Sequence, residues 1–173
     1  MPTSRAGRST SSPGFTLVEI CVVLLIISIF AFLVVPRLEL GGGGELAGVA
    51  KRLGGTTKYL FNEAALTGRE HRLVYDLERG SYRAARLEAS GELVPLDGPG
   101  KLTMLRGEVR FRDLTVPGRG TFTSGEVTTT IHPAGWLEET IVHLENRKGE
   151  QLTVHISPLT GGVETYPGYR DFR

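Results

Sequence analysis

Glu19 stands inside an apolar run, and a carboxylate there needs a reason. Phe15 to Val35 is a 21-residue stretch in which only Thr16, Glu19 and Ser28 are polar. An ionised carboxylate in a membrane helix costs about 2.5–3.5 kcal/mol on insertion scales. Such a group is a functional candidate with a partner to be named. A cut between Gly14 and Phe15 supplies one, because it creates a new α-amino group one helical turn from Glu19. Glu19 can then meet its own N-terminus or that of a neighbouring subunit. In a bundle of such helices the neighbour's amine neutralises Glu19 and sets the axial register. A lipid-facing arrangement leaves the charge without a counter-ion.

Other chemistry finds little support. The four histidines are His71, His132, His143 and His155. His143 and His155 fall as diagonal neighbours on one sheet face, but two ligands do not close a zinc site. They are expected as surface histidines. Asp76, Glu78, Asp97 and Asp113 lack the spacing of a calcium loop. Gly41 to Gly44 is followed by Glu45 and not by the Lys-Ser/Thr of a phosphate loop. No Ser/His/Asp set has motif context. Neither an enzyme nor a cofactor or metal is expected. The formal charge of +1 exerts no strong pull on nucleic acid. The tail carries Arg170 and Arg173 with Asp171 between them, beside Tyr166, Tyr169 and Phe172. Two arginines make a thin basic patch, so DNA is not expected as a partner.

The elements that position Glu19 follow from pattern. At 1.5 Å per residue the run is roughly 30 Å long, the thickness of a bilayer core. Arg5 and Arg8 precede it with no acid among residues 1–14. The N-terminus is therefore expected in the cytoplasm, with the rest across the membrane. Cys21, the single cysteine, lies within the run and can form no intramolecular disulfide; a lipid-modified cysteine would end the run instead. Pro36 ends the helix or kinks it, and Gly41 to Gly44 form a flexible break.

Beyond the break, Leu46, Val49, Ala50, Leu53, Thr57, Leu60, Phe61, Ala64 and Ala65 recur at three- and four-residue spacing, one face of an amphipathic helix. Gly54-Gly55 weaken its middle, and Thr67-Gly68 stop it. From His71 the period falls to two. Strands are expected over His71–Glu78, Ser81–Glu88, Lys101–Leu105, Val109–Leu114, Thr121–Ile131, Glu139–Asn146, Gln151–Ile156 and Gly162–Tyr166. Arg79-Gly80 and Lys148-Gly149 read as hairpin turns. In the last hairpin, Val142, Leu144, Leu152, Val154 and Ile156 share the core face. Ile141, His143, Thr153 and His155 are expected outward. Trp136 reads as a core or interface residue. The class is α+β: one helix laid on antiparallel sheet.

Gly14-Phe15-Thr16-Leu17-Val18-Glu19, with its long apolar tail, resembles the class III signal of type IV pilins and type II secretion pseudopilins. The resemblance implies that a prepilin peptidase cuts after Gly14 and methylates Phe15, that Glu19 is the assembly glutamate, and that Pro36 is a helix-kinking proline. The segment from Asn62 to Tyr82, and the turn Ser157-Pro158-Leu159-Thr160-Gly161-Gly162-Val163, are similar to GspH/FimT-type domains. These resemblances imply a pilin-like fold in three parts. They are a cleaved leader (1–14), a transmembrane and assembly helix (15–40) and a periplasmic domain (45–173). They imply a minor pseudopilin in the tip or initiation complex of a type II secretion pseudopilus. It would be single-pass in the bacterial inner membrane, with other pseudopilins and the peptidase as partners. A FimT-like minor pilin of a type IV pilus is the alternative, and some relatives of that kind bind DNA.

Overall fold

The computed structural model describes residues 17–39 and 44–172, with the side chains of 31–39 left aside. Gly14, Phe15 and Gly41–Gly43 lie outside the described residues. The chain divides into two units, Met1–Leu40 and Gly41–Arg173.

In the first unit, helix α1 spans Leu17–Glu39. Its backbone continues past Pro36, so that residue does not end the helix.

The second unit opens with helix α2, Gly44–Thr67. Its buried stripe is Leu46, Val49, Ala50, Leu53, Thr57, Leu60 and Ala64, the three-four spacing that turns one face to a core. Gly54-Gly55 do not interrupt it. A Cβ on Gly54 would lie 3.1 Å from the Val163 side chain, so this glycine marks a close approach of strand to helix. The helix stops where Gly68 turns left-handed (φ 65°) and its N–H donates to the Ala64 carbonyl at 3.0 Å.

Among the described residues eleven strands follow: β1 His71–Asp76, β2 Ser81–Leu87, β3 Leu93–Pro95, β4 Thr103–Met104, β5 Arg110–Val116, β6 Gly120–Phe122, β7 Glu126–His132, β8 Trp136–Leu137, β9 Thr140–Glu145, β10 Gln151–Ile156 and β11 Val163–Pro167. They form two antiparallel sheets, not one. The first has the order β3-β2-β1-β7-β8 with β4 beside β2; the second has the order β11-β10-β9-β5-β6. The expected strand Thr121–Ile131 is in fact two. It breaks before Glu126, and its halves join different sheets. Only β7 buries alternate residues, Val127, Thr129 and Ile131, while β6 buries none.

The two sheets and α2 share one core. Leu53 and Leu60 of α2, Leu73 and Ile131 of the first sheet, and Leu114, Val142, Leu144 and Val154 of the second are all buried in it. Tyr75 of β1 meets Phe111 of β5 edge-on at 6.0 Å across the sheets. Phe61 is only partly buried and packs on the rim. In the last hairpin Leu152 lies opposite Leu144 and Val154 opposite Val142, and all four are buried in the core as expected. Its turn is built by Asn146, whose side-chain carbonyl accepts the Lys148 and Glu150 N–H groups at 3.0 Å each.

Candidate functional site

Between Leu17 and Phe30, every described side chain of helix α1 is exposed. Leu17 and Val18 are 81% and 68% exposed, and Leu24, Leu25, Ile27 and Phe30 are each more than half exposed. A helix that is apolar all round is stable only when lipid or other helices cover it. Ser28 does not break this surface, because its hydroxyl donates back to the Leu24 carbonyl at 2.7 Å. Glu19 sits in the first turn of α1. A carboxylate there is favoured by the positive end of the helix dipole. Among the described residues no helix is long and apolar enough to cross a membrane; the side chains described in α1 end at Phe30.

The outer face of the second sheet departs from expectation. His143 and Thr153 were expected outward, yet they are 2% and 0% exposed. The C-terminal segment after β11 covers them. Gly168 N–H donates to the Gln151 carbonyl at 2.9 Å. The Thr153 hydroxyl donates to the Gly168 carbonyl at 2.7 Å and accepts the Arg170 N–H at 2.9 Å. The Tyr169 ring stacks on His143 at 3.9 Å, and the Phe172 ring on His155 at 4.8 Å. Arg112 lies over Tyr169 and Arg170 over Tyr166. The tail is thus a strap in which Arg170, Tyr169 and Phe172 are engaged within the domain.

A β-bulge aims the group beneath that strap. The pairing of β5 with β9 shifts register between Phe111 and Asp113. Phe111 therefore opposes Leu144 on the core side, while Asp113 and not Arg112 opposes His143. His71 is also fully buried, and burial lowers its pKa from the ordinary value. The surface reading of the histidines thus fails for His71 and His143. His132 and His155 are partly exposed. His132 stacks on Trp136 at 3.7 Å, and Trp136 itself is 43% exposed. His155 Nε2 lies 2.7 Å from Glu139, so each sheet-face histidine has its own carboxylate. Among the described residues no group of three or more potential ligands could hold a metal. The aromatic tail was the sequence signal for the strap, but alternation cannot show what lies over a strand.

The turn Ser157–Gly161 is anchored on α2. Lys58 Nζ donates to the Thr160 carbonyl at 2.6 Å, and a Cβ on Gly161 would lie 2.7 Å from Phe61. Of the expected site residues, the structure places Glu19 on α1 and the Pro36 backbone within it. Gly14 and Phe15 lie outside the described residues.

No family model matches the chain. Over 88 residues it is 39% identical to type II secretion system protein H of Pseudomonas aeruginosa, a match covering 50% of this chain and 50% of that relative. The chain therefore matches about half the length of that relative. Its fold is similar to the minor pseudopilin EpsH of the Vibrio cholerae type 2 secretion system. Two structures of EpsH give TM-scores of 0.57 and 0.58 at 14% and 17% identity, covering 71% and 73% of this chain and 97% of each. The solution structure of Escherichia coli GspH gives a TM-score of 0.52 at 15% identity, covering 73% of this chain and 94% of that one. With its helix laid on antiparallel sheets, the chain has the pilin-like α+β fold of the H-type minor pseudopilins EpsH and GspH, and half of its sequence is similar to half of one type II secretion system protein H.

Proposed function

We propose that the protein is a minor pseudopilin: a structural subunit of a type II secretion pseudopilus, acting in its tip or initiation complex and supporting protein export across the outer membrane. The observation that carries this reading is the apolar, exposed surface of α1 from Leu17 to Phe30, in a chain whose second unit has the fold of H-type pseudopilins. An uncovered helix of this kind needs lipid before assembly and neighbouring helices after it. In this reading residues 1–14 are a leader, residues 15–40 span the inner membrane and form the assembly helix, and residues 45–173 fold in the periplasm. The prepilin peptidase cuts after Gly14, Phe15 is methylated, Glu19 pairs with a neighbour's new amine, and Pro36 kinks the helix. The subunit does no chemistry of its own; its partners are the other pseudopilins, the peptidase and the inner membrane.

The test is the mass of the protein extracted from membranes, together with its co-purification. The expected species begins at a methylated Phe15 and carries other pseudopilins with it. A mature chain that begins at Met1, or after Val35, overturns the reading.

A further inference from the structure

We draw no further inference here: the strongest candidate, the groove between helix α2 and the edge strand β11 that Lys51, Gly54, Lys58 and Val163 line, carries nothing because nothing in the structure shows what covers it.

Discussion

His143 Nδ1 lies 2.5 Å from Asp113 Oδ1, and its Nε2 lies 3.0 Å from the Arg170 carbonyl, so both ring nitrogens face acceptors. Both contacts hold the ring in one orientation between the bulged strand and the strap. It is the point at which β5, β9 and the C-terminal strap are joined. Asp113→Ala removes one acceptor and leaves Nδ1 buried beside an apolar side chain. The expected loss is that of one buried polar group left without its partner, about 1–3 kcal/mol. The strap should loosen as well, and tryptic cleavage after Arg170 should accelerate. Thermal unfolding and timed proteolysis of the detergent-extracted chain measure both. An unaltered cleavage rate would separate the strap from the pair.

Gly161 tests how the Ser157–Gly161 turn is fitted to α2. Its φ is +61°, and an added Cβ would meet Phe61 at 2.7 Å. Gly161→Ala carries a left-handed backbone penalty of about 1–2 kcal/mol and an overpacking cost of about 1–3 kcal/mol. Gly149 has a φ of +77° and nothing within 4 Å of the added atom, so Gly149→Ala carries the backbone term alone. The melting temperatures of the two variants should differ, with Gly161→Ala the lower. Equal values would contradict this packing.

Burial dominates at His71 and lowers its pKa below the ordinary 6.5. The unfolded chain therefore takes up this proton first as the pH falls through about 6.5, which favours unfolding. Stability contributed by the neutral ring is present above that value and is lost below it. The stability of the parent should fall across that window, and His71→Leu should show a shallower slope there, whatever its absolute stability. Denaturant titrations at a series of pH values give the slopes directly. The same slope in both proteins would remove His71 from the account.

Leu53 is fully buried between α2 and the sheets. Leu53→Ala should cost about 2–5 kcal/mol through lost transfer energy and the cavity left behind. Phe61 packs on the rim, so Phe61→Ala should fall at or below the lower end of the aromatic range, about 3–5 kcal/mol. Thermal melts rank the two.

Glu19→Val should leave cleavage after Gly14 unchanged, because the junction itself is intact. Membrane insertion should be as good or better, since the run becomes more apolar. Incorporation with the other pseudopilins should fall, because the neighbour's amine loses its carboxylate. Crosslinking beside an N-terminal mass check reads the two steps apart. Normal processing with normal co-assembly would show that Glu19 does not set the register.

What the amino-acid sequence determined by itself was everything governed by neighbours a few residues away. The α2 stripe from Leu46 to Ala64, its stop at Gly68 and the β9–β10 hairpin around Asn146–Gly149 were legible. Periodicity and turn chemistry act over one or two turns of chain. The apolar length of α1 up to Phe30 and the acid at Glu19 were legible for the same reason. The tertiary structure alone decided which side of each strand is covered. His143 and Thr153 alternate as outward residues should, and they are buried because Gly168–Phe172 returns over them from a distant point in the sequence. The break into β6 and β7 and the bulge that aims Asp113 depend on pairing with partners remote in the chain. Gly54 looked like a weak point in a helix and proved to be the place where Val163 approaches it. Alternation records that a residue is buried on average; only the packed fold says by what.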